Sequence, residues 1–263
     1  MNTTPHHVVD VSHLSKTFGD GKTAFRALND VSLQIKQGRF VSVVGPSGCG
    51  KSTLMQMISG LVPTTQGNIQ IDGKTITGPQ PEKIGVVFQD ALLLPWKTAL
   101  ENIEFPLSLG DTPVAERQER ARNMLKLVGL KDVGHRYPHE LSGGMRQRVA
   151  IARGLVRNPS LLLMDEPFGA LDEQTRTRMW GELLRIHEQS GTTILFITHS
   201  LVESVFLADE VLVMASNPGR IIERIEVDLP RPRDLKLLGS ERLGNLRNHI
   251  WDLIAKPDDE IDA

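Results

Sequence analysis

Three features of the sequence predict an α/β fold. In the second half, short apolar runs alternate with a helical segment: Leu161 to Met164, then a helix over Glu173 to Gln189, then Ile194 to Ile197. That alternation specifies a parallel sheet with crossover helices. Near the start, Val9 and Val11 alternate with Asp10 and Ser12, and Val31, Leu33 and Ile35 alternate with Ser32 and Gln34. A period of two is that of half-buried strands, here an antiparallel β layer. Between these regions, from about Ala91 to Arg157, the pattern turns mostly helical, with Ala121, Met124, Leu125 and Val128 at helical spacing. This stretch is expected to be an inserted α-helical subdomain.

The remaining elements follow in order. Gly38 turns the second antiparallel strand into the short buried run Phe40-Val41-Ser42-Val43-Val44. A helix fits Thr53 to Leu61. Asn68-Ile69-Gln70-Ile71 continues the antiparallel layer and ends at the turn pair Asp72-Gly73. Ile84 to Phe88 is continuously apolar, the pattern expected of a buried central strand. Val211 to Met214 and Ile221 to Val227 supply further strands. Ser240 to Ile254 reads as an amphipathic helix with Leu243, Leu246, Ile250, Leu253 and Ile254 on one side, and Asp258-Asp259-Glu260-Ile261-Asp262 as a solvated tail.

Composition narrows the function classes. A chain of 263 residues holds an ample core. The formal net charge of -2 gives no electrostatic footprint for nucleic acid. The single cysteine, Cys49, excludes an intramolecular disulfide and fits a reducing compartment. Met1 to Asp10 has no apolar signal segment, and no apolar run approaches the roughly 18 to 20 residues of a membrane span. The chain is expected to be soluble, with any work at a membrane done through a partner.

The chemistry centres on Gly45-Pro46-Ser47-Gly48-Cys49-Gly50-Lys51-Ser52-Thr53, which reads G-x-x-x-x-G-K-[ST] between a strand and a helix. Glycines let successive backbone N–H groups line one concavity, and the helix start adds free amides and its positive dipole end. Lys51 brings a charge to the β- and γ-phosphates of a nucleotide, and the Ser52 hydroxyl can ligate Mg²⁺. Cys49 is read as a small filler. Downstream, the strand Leu161 to Met164 delivers Asp165 and Glu166 at its carboxyl end, where open parallel sheets bind ligands. Asp165 suits the shell of Mg²⁺, and Glu166 can polarise an attacking water as general base. Gln89 and His199 also follow strands. The amide can touch metal and water, and the imidazole can bond a γ-phosphate. His135 and His139 are four apart, but Pro138 between them argues against a zinc-binding helix.

Leu141-Ser142-Gly143-Gly144-Met145-Arg146-Gln147-Arg148 completes an ordered set: phosphate loop, Gln89, this stretch, Asp165-Glu166, Ala170-Leu171-Asp172 and His199. Locally, Ser142, Gly143 and Gly144 lead into a helix and offer a second anion site. In this order the motifs resemble the nucleotide-binding subunit of ATP-binding cassette (ABC) transporters, over nearly the whole chain from about Val8 to Ile225. The resemblance implies a P-loop NTPase (RecA-like) core. It implies one ATP-binding domain over 8–230, with core 8–90 and 158–230, helical subdomain about 91–157, and a C-terminal helix and tail over 231–263. It implies a head-to-tail homodimer in which Ser142-Gly143-Gly144 of one copy covers the γ-phosphate held by Lys51 of the other, with Asp172 at the seam. Phe18, in Lys16-Thr17-Phe18-Gly19, is expected to stack on adenine, where the family more often has Tyr.

With one cassette and no fused membrane domain, the chain looks like an importer subunit of the bacterial kind. The resemblance then implies two permease subunits docking by the Gln89 loop, a solute-binding protein acting indirectly, and a place at the cytoplasmic face of the inner membrane. Leu92-Leu93-Leu94-Pro95-Trp96 is expected in the docking groove, ordinary core being the alternative for Trp96. The stretches Leu94 to Ile103 and Phe206 to Ile221 are similar to the group importing nitrate, taurine and aliphatic sulfonates. Ser200 and Ser204 depart from the family's usual Asp and Ala, which suggests a differently tuned helix after His199. No room is expected for a C-terminal regulatory domain. The competing readings are a non-transport cassette ATPase acting on ribosomes or DNA, against which the mild charge and the short insert stand, and a membrane-anchored scaffold, against which intact Glu166, Gln89 and His199 stand.

Overall fold

The structure, a computed structural model, describes residues 7–255. The acidic tail expected after residue 255 lies outside them. In chain order the first elements are β1 (His7–Phe18), β2 (Phe25–Lys36), β3 (Phe40–Val44), α1 (Lys51–Ile58), β4 (Gln66–Ile71) and β5 (Lys74–Thr75). Then follow β6 (Ile84–Val87), α2 (Ala99–Ser108), α3 (Val114–Leu127), α4 (Gly143–Leu155), β7 (Leu161–Asp165) and α5 (Glu173–Ser190). The chain closes with β8 (Thr193–Ile197), α6 (Leu201–Leu207), β9 (Glu210–Ala215), β10 (Arg220–Glu226) and α7 (Glu241–Ala255). Residues 7–80 with 193–255 form one compact unit and Pro81–Thr192 a second.

The first unit holds the antiparallel layer, in the order β2-β1-β4-β5. Along β2, Val31, Leu33 and Ile35 are buried while Ser32, Gln34 and Lys36 are exposed, so the period of two decides which face meets the core. Parallel pairing sets β3 between β8 and β9, and β10 runs antiparallel to β9. All five residues of β3 and all five of β8 are buried, as strands covered on both faces must be. Helix α7 turns Leu243 and Ile250 inward, as its apolar spacing predicts.

The C-terminal segment is fastened by two arginines. Buried Arg233 donates to the carbonyls of Phe206 and Ala208 at 2.8 and 2.7 Å, the otherwise open end of α6. Arg231 donates to Leu207 O and to the Asp209 carboxylate, which in turn accepts from the Phe40 N–H that opens β3. Burial pulls the Arg233 guanidinium down to about 10, still fully cationic at neutral pH.

In the second unit β6 pairs in parallel with β7. The expectation of a central strand over Ile84 to Phe88 is corrected here: among the described residues β6 ends its sheet, with β7 as its one neighbour. It reads as apolar because α4 packs onto it, and a Cβ on Gly85 would lie 2.3 Å from the Gly154 carbonyl of that helix. The helical stretch is three helices, α2, α3 and α4. Helix α2 starts at a capping box, the Thr98 hydroxyl accepting from Glu101 N–H and the Glu101 carboxylate from Thr98 N–H. His135 and His139 share no helix, and Pro138 instead opens a one-turn 3₁₀ segment, Pro138–Glu140.

Candidate functional site

In the first unit the phosphate loop spans the turn from β3 into α1. Gly50 sits at φ +93°, and a Cβ there would meet the Leu28 side chain at 2.6 Å. Gly45 passes so close to Met214 that a Cβ would lie 2.4 Å from its carbonyl oxygen. Only glycine fits either place. Gly50 caps α1 without a side-chain hydrogen bond, so no hydroxyl or carboxylate competes for the first-turn amides. Lys51, the first residue of α1, is buried, and its Nζ donates to Gly45 O and Pro46 O, both at 2.9 Å. The ammonium is thus held across the loop mouth by two carbonyls that a phosphate can replace. Ser47, Gly48 and Ser52 are exposed and Thr53 partly so, while Cys49 is fully buried. Burial pushes the Cys49 thiol up, against the pull of nearby Lys51, which keeps it protonated and suits the filler role.

Phe18 ends β1 with 41 % of its surface exposed, its ring 4.8 Å from Lys16 Nζ. A second contact fixes that lysine, whose Nζ donates to Pro63 O at 2.8 Å. An exposed aromatic face held at a strand end can stack on a planar base. His199 is exposed beyond β8, between buried Thr198 and the α6 cap Ser200.

In the second unit Asp165 is the last residue of β7, and Glu166 leaves the strand at φ +45°. A glutamate in this left-handed region is strained, and the turn is closed by Gly169 N–H donating to Glu166 O at 3.0 Å. Gln89 is exposed, and its side chain lies against Gly169, where a Cβ would be 2.8 Å from Nε2. Gln89 and the Asp165-Glu166 turn are therefore neighbours. Ser142 caps α4, its hydroxyl accepting from Met145 N–H at 3.3 Å, with Gly143 and Gly144 as the first helical residues. A Cβ on Gly144 would press Thr175 Cγ2 at 3.0 Å. Asp172 caps α5, and the Thr175 amide it accepts from holds its carboxyl below the usual range.

Sequence reasoning missed three residues that hold the Gln89 loop. Buried Gln147 of α4 donates to Phe88 O at 3.1 Å. Arg153 of α4 donates to Leu92 O and Ala91 O at 2.7 and 2.8 Å. Asn102, wholly buried in α2, accepts from Leu94 N–H at 2.7 Å and donates to the carbonyls of Leu94, Lys97 and Thr98. The helix that begins with Ser142-Gly143-Gly144 thus grips the loop that carries Gln89. Trp96 of that loop is 70 % exposed, which removes the core alternative. Beside the loop lies a groove of about 440 Å³ lined by Leu94, Phe105, Pro106, Leu109, Arg153 and Arg157 among others.

A family model described as ABC transporter matches residues 28–169. The chain belongs to the ABC transporter family. Two relatives are each 47 % identical over 224 residues, 85 % of this cassette. One is an uncharacterized ABC transporter ATP-binding protein of Methanocaldococcus jannaschii, covered over 84 % of its length. The other is the taurine import ATP-binding protein TauB of Escherichia coli, covered over 86 %. Among solved structures, a dimeric ATP-binding cassette in a post-hydrolysis state bound to ADP and Pi superposes with TM-score 0.73 at 35 % identity, over 84 % of this chain and all of the other. An ABC transporter component of Clostridium perfringens gives TM-score 0.76 at 30 % identity, over 84 % and 89 %. The ABC cassette fold and an ATPase activity accordingly hold for this chain, which is an ATP-binding transporter subunit.

Proposed function

We propose that this ATPase is the motor of a membrane importer for a small anionic or zwitterionic organic solute of the taurine and sulfonate kind. The observation that carries the ATP chemistry is Lys51, a buried ammonium held by Gly45 and Pro46 carbonyls at the head of an uncapped helix. The likeness to a taurine import protein over most of both chains supports the transport role and the solute class.

The residues take the following parts. Amides of Gly45 to Thr53 and the Lys51 ammonium hold the phosphates, and Phe18 stacks on the base. Ser52, Gln89 and Asp165 offer hydroxyl, amide and carboxylate oxygens, the hard donor set that suits Mg²⁺. Bound there, Mg²⁺ would neutralise charge on the phosphates. Glu166 takes a proton from the attacking water, oriented with the help of Gln89, and His199 donates to the γ-phosphate. Ser142, Gly143 and Gly144 serve the nucleotide of a second copy, and the Ser142 hydroxyl, whose oxygen caps α4, has its proton to donate. Asp172 lies at the seam of that head-to-tail pair. The dimeric state of the ADP-bound cassette supports this arrangement.

Two permease subunits dock on the groove beside the Gln89 loop, and a solute-binding protein delivers cargo to them from the far side of the cytoplasmic membrane. The exposed Trp96 and apolar Leu94, Phe105 and Leu109 suit an apolar helix face there. The test is recovery of the tagged chain from detergent-solubilised membranes of its own cell, followed by reconstitution of the recovered complex in liposomes. A multi-span partner and ATP-dependent accumulation of taurine or an alkanesulfonate are expected. Recovery of ribosomal or DNA factors without a membrane protein would refute the transport role and leave the ATPase chemistry standing.

A further inference from the structure

His199 sits between two residues that are both tied to one buried carboxylate. Thr198 is 1 % exposed and its hydroxyl donates to Glu203, which is 4 % exposed. The same Thr198 oxygen accepts from Ser200 N–H at 3.0 Å. Ser200 caps α6, its hydroxyl accepting from Glu203 N–H at 3.3 Å. Glu203 therefore reaches the residue before His199 through its side chain and the residue after it through its backbone. The other end of the bracket is anchored in the sheet: Thr198 N–H donates to Val43 O of β3 at 3.2 Å. Ser204, fully buried, keeps its hydroxyl on Leu201 O at 2.8 Å, and its carbonyl accepts from Ser42 of β3 at 3.2 Å. A carboxylate is a costly group to bury, and an apolar side chain there would stabilise the fold more cheaply.

We propose that Thr198, Ser200 and Glu203 are positioning residues for His199. They lock the backbone on both sides of the imidazole, so that it meets the γ-phosphate without a search for orientation. This rests on the reading of His199 as the γ-phosphate donor. It also gives Ser200 a definite part: a hydroxyl cap takes the place of the family's usual carboxylate, and Glu203 supplies the negative group from inside the helix.

The test is steady-state ATP hydrolysis by the full-length chain, with a thermal melt of every variant. Thr198→Val keeps the shape and removes the hydroxyl. It is expected to lower kcat at least about tenfold with KM for ATP within about twofold, the signature of an interaction used in the transition state. Thr198→Ser is expected to restore kcat to within about twofold. Ser200→Ala, at a half-exposed cap, is expected to lower kcat in the same sense and serves where Thr198→Val does not fold. In a His199→Ala background, Thr198→Val and Ser200→Ala are expected to cause no further loss, because nothing remains to be positioned. Full kcat in folded Thr198→Val or Ser200→Ala, with only a lower melting temperature, would reduce the bracket to packing and overturn the proposal. Losses that multiply with His199→Ala would overturn it too, placing the effect elsewhere. Normal turnover in His199→Ala alone would remove the underlying role of His199 and the bracket with it, a result distinct from the other two.

Discussion

In the proposed function nucleotide binding turns on Lys51. Its Nζ already bridges two loop carbonyls, so the charge is placed before any phosphate arrives and little side-chain entropy is lost on binding. Charge-assisted hydrogen bonds contribute about 1.5 to 3 kcal/mol each. Lys51→Ala is therefore expected to weaken ATP binding at least about tenfold by isothermal calorimetry; unchanged affinity in the folded variant would count against the phosphate-loop assignment. In the proposed function turnover depends on Glu166. Its strained φ of +45° is held by the Gly169 turn, so the carboxylate leaves the strand at a fixed point.

At the scale of elements, α2 and α4 hold the Gln89 loop by its backbone. Asn102→Ala would leave the Leu94 amide and three carbonyls without this partner inside the protein. A loss of about 2 to 4 kcal/mol is expected in urea unfolding, with weaker permease association than for a surface alanine variant; a loss below about 0.5 kcal/mol would refute the anchoring role. Helix α5 gives a pH test. The Thr175 amide lowers the folded-state pKa of Asp172, so its stabilising effect is complete above the ordinary value of 3.8 and fades as pH falls through the lower folded value. The melting-temperature gap between the native chain and Asp172→Asn is expected to be constant from pH 7 to 5 and to close in the acid range. A gap that persists unchanged at pH 2 would contradict the cap.

The Gly45 to Thr53 loop between strand and helix, the carboxylates at the end of β7 and the alternating strands were legible in the sequence because each imposes a fixed local spacing. Asn102, Gln147 and Arg153 were not, because a side chain that holds a distant carbonyl leaves no pattern: Gln147 and Phe88 are 59 positions apart. The edge position of β6 was hidden for a related reason, since a strand covered by α4 is as apolar as a central one. Ser200 looked like a departure and turned out to be a cap, a role that any short hydroxyl or carboxylate can fill.

At the scale of the whole molecule, Lys51, Phe18 and His199 belong to one compact unit, and Gln89, Ser142, Asp165, Glu166 and Asp172 to the other. In the proposed function two copies of the chain enclose ATP and Glu166 hydrolyses it. The decisive measurement is light scattering of Glu166→Gln at saturating Mg-ATP. The expected result is twice the mass of the chain with turnover reduced about 10²- to 10⁴-fold, reverting to single mass when ATP is replaced by ADP. A single-chain mass with ATP bound, or normal turnover in this variant, would contradict it.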